Sequence, residues 1–507
     1  MSAGVGRLGR FIRSPGAAVL TLALVAYGYF YQAGGWNQNS RFDLTRALVE
    51  RGTVRIDAYE RNTGDESRRA GHMYSDKAPG VSLAAVPAWA AVRAVSPGPP
   101  TPRQLALGAW LGTVVAVGVP AALAVLALLR LARAWGARAG AAVLLAGSYA
   151  LATLAWPYAT LMYGHQVIAA LMVIAFAALA GPHARGEEVS LRRLVGVGVL
   201  LGWAVVVEYP AALAVVVLGA YALTCAPPRR VLLGLALGGA APALVLATYH
   251  AVAFGGPLAL PYEFSTQPHR HQGFFMGLGV PSPDVLGQIL VSRYRGLLYA
   301  APWLALGVVG LVPLWRRGRR AEAGVCASLV LLFLWLNASL VDWQGGWAMG
   351  PRYLVPMVPF LVLPIAALLP RDGDGAAWPA RLPRWAALTA VVAAAALVAR
   401  SAALMLVGTA VKPEVPTHIR QPFADYLLPR FWRGDLAVST QSIDMAGHPE
   451  HGPAQAWNLG HALGLHGHAT LAPLVLVLLA CAAWAWWAVR ATGAERAEHT
   501  RDHSTPA

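Results

Sequence analysis

The sequence predicts an all-α polytopic membrane protein with about twelve transmembrane helices. Two features of composition predict it: 57% of the 507 residues are hydrophobic, and only 13% are charged. A third observation is that apolar stretches of about 20 residues, the length that crosses a bilayer, recur along the chain. An average soluble domain carries about 25% charged residues. The composition therefore excludes a disordered chain and a soluble nucleic-acid-binding domain, although the formal net charge is +16.

Twelve apolar segments fit the length of a spanning helix, and short polar or glycine- and proline-rich stretches separate most of them. The three cysteines all lie inside apolar runs, which excludes a disulfide framework and a cysteine-based metal site. The predicted segments are centred on 15–33, 104–129, 139–156, 166–181, 194–209, 210–226, 231–254, 296–315, 321–341, 353–369, 385–407 and 469–489.

The basic residues are distributed unevenly between the two sides of these spans. With a cytoplasmic N-terminus, the inner loops carry a net charge of +13 and the outer loops +3, with Glu208 and Arg400 inside spans. The positive-inside rule then predicts a multi-pass plasma (inner) membrane protein with both termini in the cytoplasm. The excess positive charge therefore requires no nucleic acid as a partner.

The polar residues concentrate in long outer segments, whereas the inner loops are short. We expect a membrane module over 1–407, whose first outer loop is 34–103, followed by an outer cap at 408–468. Residues 469–507 then form the last span and a cytoplasmic tail. A chain that keeps its polar residues on one side is expected to perform its chemistry on that side.

The first outer loop begins with a predicted surface helix. Ser40 is placed to cap it, Asp43 completes a capping-box-like pattern, and Gly52 ends it. The apolar stripe of this helix predicts that it lies on the membrane surface rather than crossing the bilayer. Asp43 is then either a capping acid or an acid available for chemistry.

A cluster of charged residues follows this helix. Asp57, Asp65, Asp76 and Lys77 flank the turn Tyr-Ser-Asp-Lys-Ala-Pro-Gly at 74–80. A cation at a membrane-proximal turn can hold a lipid phosphate, and a nearby carboxylate can take a proton from an attacking hydroxyl. Those are the two groups needed to transfer a sugar from a lipid phosphate carrier. The alternative interpretation is that these are solvated loop charges.

On these residues the chain resembles membrane glycosyltransferases of the C-type fold. More narrowly, it is similar to the protein-mannosyltransferase and aminoarabinose-transferase-like group, which uses polyprenyl-phosphate-linked sugars. The resemblance covers roughly residues 1–370 and rests on the acidic first outer loop, the helix that Gly52 ends, the 74–80 turn and the Arg-rich inner loops. It implies a polyprenyl-phosphate sugar as donor, an acceptor of unknown identity, and Lys77 as a phosphate ligand beside Asp76 and Tyr74.

The sequence departs from this group at one place. The relatives often have an Asp-Glu pair, which includes the catalytic acid, just ahead of the first surface helix, whereas Gln38 and Asn39 stand here. An amide cannot act as a base, so the role must pass to another acid or be absent. The candidate bases, in order, are Asp65, Asp57 and Asp43.

Other outer turns supply four further candidate ligands. His165 lies between the third and fourth spans, Arg293 and Arg295 flank a tyrosine, and Arg352 follows a glycine-rich turn. An arginine can clamp a phosphate through its planar fork. The alternative interpretation is that His165 is bonded to the backbone and that the aromatic residues beside the arginines are interfacial anchors.

The outer cap is rich in histidine. The pairs 448/451 and 466/468 have spacings compatible with zinc, but no cysteine and no oxygen-ligand motif accompanies them. We therefore predict no metal site and no certain cofactor, and leave a divalent cation open. The six histidines are His418, His448, His451, His461, His466 and His468.

The leading hypothesis is the inverting transfer of one sugar from a polyprenyl-phosphate donor to an acceptor on the outer face of the membrane. A transporter or flippase of a lipid-linked sugar is the second hypothesis. That class usually has charged groups at mid-membrane, where only Glu208 and Arg400 qualify here. The third is a non-catalytic scaffold for envelope assembly.

Overall fold

A computed structural model describes residues 13–95, 98–372, 383–440 and 455–502. Within these ranges the chain is almost entirely helical, with twenty α-helices and four strands of two to four residues. The predicted all-α class is therefore confirmed. The predicted pair His448 and His451 lies outside the described residues.

The first half of the chain contains eleven α-helices and the hairpin of the first outer loop. These elements are α1 (Pro15–Gly28), β1 (Phe30–Tyr31), α2 (Trp36–Arg51), β2 (Glu66–Arg69), β3 (His72–Ser75), α3 (Gly80–Val95), α4 (Pro102–Thr113), α5 (Val119–Ala134), α6 (Ala139–Leu151), α7 (Ala155–Ala159), α8 (Gly164–His183), α9 (Leu191–Val207), α10 (Ala211–Ala222) and α11 (Pro228–Phe254).

The second half alternates short helices in the outer loops with longer apolar ones. Its elements are α12 (Pro283–Val291), α13 (Leu297–Ala300), α14 (Ala305–Arg316), α15 (Arg320–Ser339), α16 (Val358–Val362), α17 (Arg384–Val411), α18 (Leu428–Arg433), β4 (Trp457–Asn458), α19 (Leu459–Ala462) and α20 (Ala472–Asp502).

Each predicted span overlaps a helical stretch, but the count of twelve is not confirmed. Six stretches in the described residues are long and apolar enough to cross a membrane, and six further apolar helices are shorter. The longest stretch, Pro102–Ala134, joins α4 to α5 through a π-helical turn at Val114–Gly118. Pro120 follows this turn, and its missing N–H removes one donor from the helical ladder.

The helices α9 and α11 approach each other unusually closely. Glycines on both helices form the interface, and a Cβ on Gly238 would lie 2.1 Å from the carbonyl oxygen of Val195. Gly198 sits on the facing surface, where a Cβ would lie 2.7 Å from the carbonyl oxygen of Leu235. Small residues of this kind let helix backbones pack by van der Waals contact within a membrane.

The predicted surface helix exists as α2, but it begins at Trp36 rather than at Ser40. Its N-cap is Gly35, so the prediction that Ser40 caps the helix is wrong. Ser40 and Asp43 lie in the interior of α2 and are buried. Their side chains bond to later residues of the first outer loop, Asp65 and Asn62. The predicted C-terminus is confirmed: Gly52 adopts φ +62°, the left-handed conformation that glycine tolerates best.

A two-stranded hairpin follows α2 and determines where the charged cluster lies. Strands β2 and β3 pair antiparallel. Arg69 is opposite His72 next to the turn, and Glu66 is opposite Ser75 at the open end. Ala70 and Gly71 both have positive φ, as a tight hairpin turn of this hand requires. Asp65 and Asp76 directly flank the open end and therefore lie side by side.

The described part of the outer cap contacts the end of the first predicted span and the end of α17. Strand β4 pairs antiparallel with β1, and Ala437 donates its backbone N–H to the carbonyl of Ala410. These contacts bring residues from both ends of the chain to the same side of the molecule. The boundaries predicted for the cap, 408–468, stay a prediction.

We expect Gly238→Ala to lower the melting temperature of the purified protein by several degrees. The added methyl would meet a backbone carbonyl that cannot move aside, and overpacking of this kind costs about 1–3 kcal/mol. Gly196→Ala is the matched control, because nothing lies within 4 Å of a Cβ there. Thermal unfolding in detergent should therefore separate the two variants. An equal fall for both would contradict the close packing of α9 and α11.

Candidate active site

Lys77 lies between two carboxylates at the open end of the hairpin. Its Nζ is 2.9 Å from Oδ2 of Asp65 and 2.9 Å from Oδ1 of Asp76. The side chains of Lys77 and Asp76 are almost fully buried, at 7% and 1% exposure, whereas that of Asp65 is 18% exposed. We call these three residues the Lys77 triad.

Serine hydroxyls hold this triad in place. The Oγ of Ser40, on α2, donates to the backbone carbonyl of Asp65 at 2.6 Å and lies 2.7 Å from the Oγ of Ser75. The backbone N–H of Lys77 in turn donates to Ser75 at 3.2 Å. Ser40 thus joins the surface helix to Asp65, just before β2, and to Ser75 of β3. These bonds fix the two carboxylates relative to the ammonium group.

The two carboxylates differ in their protonation equilibria. Burial alone would raise the pKa of Asp65, but Lys77, together with Arg352 and Arg270, lowers it below the ordinary value. Burial raises the pKa of Asp76, and the neighbouring charge of Asp65 adds to this effect. Burial opposes the charge of Lys77, yet both carboxylates raise its pKa. Asp65 is therefore ionised near neutral pH and is also the more accessible acid.

Arginines and aromatic rings surround the triad. The guanidinium of Arg270 lies 4.2 Å from the centroid of the Tyr262 ring. The guanidinium of Arg352 lies 5.2 Å from the ring of Tyr163 and 5.1 Å from that of Tyr353, and donates to both hydroxyls. Arg270 and Arg352 both lower the pKa of Asp65, so their positive charges act on the triad.

The imidazole of His165 belongs to the same aromatic wall. His165 is the second residue of α8, and its ring contacts the ring of Tyr163 at 6.0 Å and that of Tyr353 at 5.4 Å between centroids. These are the two tyrosines that bind Arg352. The structure thus brings the predicted residues His165 and Arg352 together.

Several polar atoms of the site are buried without a hydrogen-bond partner among the described residues. They are Oδ2 of Asp76 and the Nε atoms of Arg270 and Arg352. Buried donors and acceptors are nearly always satisfied in folded proteins. The two unpaired N–H donors leave hydrogen-bonding capacity for an anionic ligand.

The site lies where apolar helices end. α8 begins at Gly164, beside His165, and α9 ends next to Glu208. Glu208 is therefore the C-cap of α9 rather than an acid within a span, and it forms a 2.5 Å ion pair with Arg41 of α2. This buried pair joins the surface helix to the end of α9, so the site stands at the boundary of the apolar region.

Glu414 is a site residue that the sequence does not reveal. It comes from the outer cap, yet its carboxylate accepts from Tyr163 at 2.5 Å and from Gln38 at 3.0 Å. Burial raises its pKa. The carboxylate of Glu414 thus contacts Gln38, although the two residues are far apart in the chain. Gln38 stands where the relatives named above often have an Asp-Glu pair. No local motif around residue 414 signals this contact.

Three predicted residues of the first outer loop lie elsewhere. Asp57 binds the turn end of the hairpin, 2.9 Å from Nδ1 of His72, and accepts the backbone N–H of Met73. Asp43 is buried on α2 and accepts from Asn62 at 3.0 Å. Tyr74 packs its ring against Phe254, 5.5 Å away between centroids. In these contacts, Asp57, Asp43 and Tyr74 bind residues other than Lys77.

The arginine pair of the later outer loop is divided between two environments. Arg295 is fully buried and donates to the backbone carbonyls of Gln344, Gly346 and Ala348, so its guanidinium holds the 340–352 loop. Arg293 is exposed and donates to the amide oxygen of Gln421 at 3.2 Å. The structure brings neither side chain to the Lys77 triad.

The described residues contain no group of three or more histidine, cysteine, aspartate or glutamate side chains that could hold a metal ion. The two carboxylates of the triad are instead bridged by an ammonium group.

Neither a family model nor a curated protein sequence matches this chain. Among solved structures, it is similar to ArnT from Cupriavidus metallidurans in the apo state, with a TM-score of 0.45, 18% identity, and coverage of 96% of this chain and 75% of that one. The same protein bound to undecaprenyl phosphate gives a TM-score of 0.45, 16% identity and coverages of 93% and 74%.

The oligosaccharyltransferase of Archaeoglobus fulgidus is a second kind of similar structure, with a TM-score of 0.46 and 14% identity. The similarity covers 79% of this chain but only 56% of the length of the oligosaccharyltransferase. The sequence resemblance names the aminoarabinose-transferase-like group, and ArnT is among the similar structures. TM-scores below 0.5 carry no argument about activity, so the function has to follow from contacts within this chain.

The stability of the protein should depend on pH through Asp43. Burial raises its pKa from 3.8 to about 7 in the folded state, so the parent loses stability as pH rises from about 4 to about 7. Asp43→Asn cannot ionise and can keep the bond from Asn62. We expect this variant to be more stable than the parent. The difference in the free energy of unfolding should grow by up to a few kcal/mol from about pH 4 to about pH 7 and stay constant at higher pH.

The measurement is denaturant unfolding of both proteins at a series of pH values. Asp284→Asn, a change at an exposed acid outside this loop, is the control and should show no such trend. A stability difference between parent and Asp43→Asn that is independent of pH would contradict the assigned state of Asp43.

Proposed function

We propose that this protein transfers a sugar from a polyprenyl-phosphate donor to an acceptor hydroxyl at the outer face of the membrane. The observation that carries the proposal is the Lys77 triad: a buried ammonium group between two carboxylates, with the positive charges of Arg270 and Arg352 acting on Asp65. Such a site offers both a clamp for an anionic leaving group and a base for a hydroxyl.

The phosphate clamp consists of Lys77, Arg270 and Arg352. The ammonium group supplies charge from the hairpin end, and the two guanidinium groups supply further N–H donors. Cations held in place before the reaction stabilise the negative charge that develops on a leaving phosphate. The tyrosines that hold Arg352 fix its guanidinium in the required position, and His165 packs behind them.

Asp65 acts as the base. It is ionised, and it is the only carboxylate of the triad with substantial exposure. The acceptor oxygen attacks C1 of the sugar while its proton passes to Asp65. The bond between C1 and the phosphate oxygen breaks, and its electron pair leaves with the lipid phosphate. A single displacement of this kind inverts the configuration at C1.

The position of the site suits a lipid donor. The apolar helix α3 begins at Gly80, three residues after Lys77, so a phosphate at the bilayer surface reaches Lys77 while its hydrocarbon tail stays among the helices. Lipid phosphates concentrate at this depth, where basic side chains attract them. The cytoplasmic placement of both termini, and hence the outward orientation of this site, belong to the same proposal.

We expect Asp65→Asn to reduce sugar transfer by about 10²–10⁴-fold, the typical contribution of a general base. The amide keeps the shape of the side chain but cannot accept the proton. Transfer is measured with purified protein and a radiolabelled polyprenyl-phosphate sugar. Glu60→Gln, at an exposed acid of the same loop, is the control and should leave the rate unchanged. A slow Asp57→Asn variant beside a fully active Asp65→Asn would show that the base is misassigned.

Lys77→Met should weaken binding of undecaprenyl phosphate by tenfold or more, because charge-assisted hydrogen bonds contribute about 1.5–3 kcal/mol. Arg317→Met, on the opposite side of the molecule, is the control. Equilibrium binding of the labelled lipid in detergent gives the affinities. If Lys77→Met bound the lipid as tightly as the parent, the proposed phosphate clamp would be wrong.

A further inference from the structure

A cavity opens on the same side of the molecule as the Lys77 triad. It has a volume of about 500 Å³. A neighbouring cavity of about 360 Å³ shares three of its residues and adds Arg293. We call the two together the Trp343 cavity. The larger part is lined by Tyr294, Trp343, Gln344, Thr417, His418 and Arg420.

Two aromatic side chains form a fixed wall of this cavity. The rings of Tyr294 and Trp343 meet edge to face, with centroids 6.1 Å apart. The hydroxyl of Tyr294 donates to the backbone carbonyl of Thr417 at 2.8 Å, which ties the wall to the outer cap. Trp343 is partly exposed, so part of its indole is available for contact. Rigid aromatic faces of this kind stack on the apolar faces of sugar rings.

The charge of the Trp343 cavity is positive. The guanidinium of Arg420 is exposed and lies 5.0 Å from the centroid of the Tyr294 ring, and Arg293 donates to the amide oxygen of Gln421. No ion pair joins either arginine to a carboxylate within the described ranges. The adjacent acid, Asp342, acts on the buried Arg295 and on Arg352. Two arginine forks are therefore available to an anionic group.

One loop joins this cavity to the Lys77 triad. Residues 340–352 carry Trp343 at one end and Arg352 at the other. Arg295 holds the middle of the loop through three backbone carbonyls and stacks on Tyr294, with its guanidinium 4.2 Å from the ring centroid. The Trp343 cavity thus has a fixed position relative to the proposed phosphate clamp.

We propose that the Trp343 cavity binds an anionic saccharide. The exposed part of the Trp343 indole takes the sugar ring, and the Tyr294 ring, which is buried beneath Arg295 and Arg420, supports it. Arg293 and Arg420 take the phosphate or carboxylate group. The role of this saccharide as the acceptor rests on the proposed function, but its binding does not. Under that function the acceptor carries a negatively charged sugar and approaches the donor from the side of the outer cap.

The test uses the full-length purified protein with mannose 6-phosphate as the probe, observed by saturation-transfer NMR. We expect saturable binding, with weaker binding of mannose and of inorganic phosphate. Arg420→Gln and Trp343→Ala should each weaken it about tenfold, the effect of losing one charge-assisted bond or one stacking face. Arg433→Gln, at an exposed arginine of the same cap that pairs with Asp435, is the matched control and should bind like the parent.

Three results would overturn this proposal. They are an absence of saturable binding to the parent, an affinity unchanged by Arg420→Gln, and equal affinity for inorganic phosphate alone. Arg420 is exposed, so its substitution remains decisive even where Trp343→Ala fails to fold. Loss of binding in Lys77→Met, with no effect of Arg420→Gln, would place the saccharide in the phosphate clamp instead. A protein that binds the probe here but transfers no sugar would contradict the proposed function alone.

Discussion

The burial of one ammonium group between two carboxylates is the constraint on which the outer side of this protein depends. A buried charge is tolerated only when it is paired and held in good geometry. Lys77 meets that requirement because the hairpin ends in two aspartates on adjacent strands. The hairpin itself is held by Ser40 of the surface helix, and Arg41 of the same helix is paired with Glu208. Substitution of the aspartates, of Ser40 or of the Arg41–Glu208 pair is therefore expected to disturb the position of the Lys77 ammonium group.

The site is assembled from segments that are far apart in the chain. The first outer loop supplies the triad, two later outer loops supply Arg270 and Arg352, and the outer cap supplies Glu414. The hydroxyl of Tyr163 links two of these segments, since it donates to Glu414 and accepts from Arg352. The first outer loop contributes three charged side chains, and each of the other segments contributes one. Their meeting at the ends of apolar helices creates a site suited to an amphiphilic, anionic substrate.

Local patterns in the sequence predicted the local features of this structure. Apolar length placed the helices, the glycine at 52 ended the surface helix, and clustering of acids around a lysine identified Asp65, Asp76 and Lys77. Contacts between distant segments could not be read in this way. Arg293 and Arg295 look equivalent in the sequence, yet packing buries one and exposes the other. The start of the surface helix was also mispredicted, because Ser40 bonds to the hairpin instead of capping a helix.

The central claim is that Lys77, Arg270 and Arg352 together hold a lipid phosphate at the boundary of the membrane. It is tested most directly by an experimental structure of the protein with undecaprenyl phosphate. The account predicts phosphate density within hydrogen-bonding distance of the Nζ of Lys77 and of at least one of the two guanidinium groups. A phosphate bound at the opposite side, beside Arg317 and Arg319, with the Lys77 triad unchanged, would contradict it.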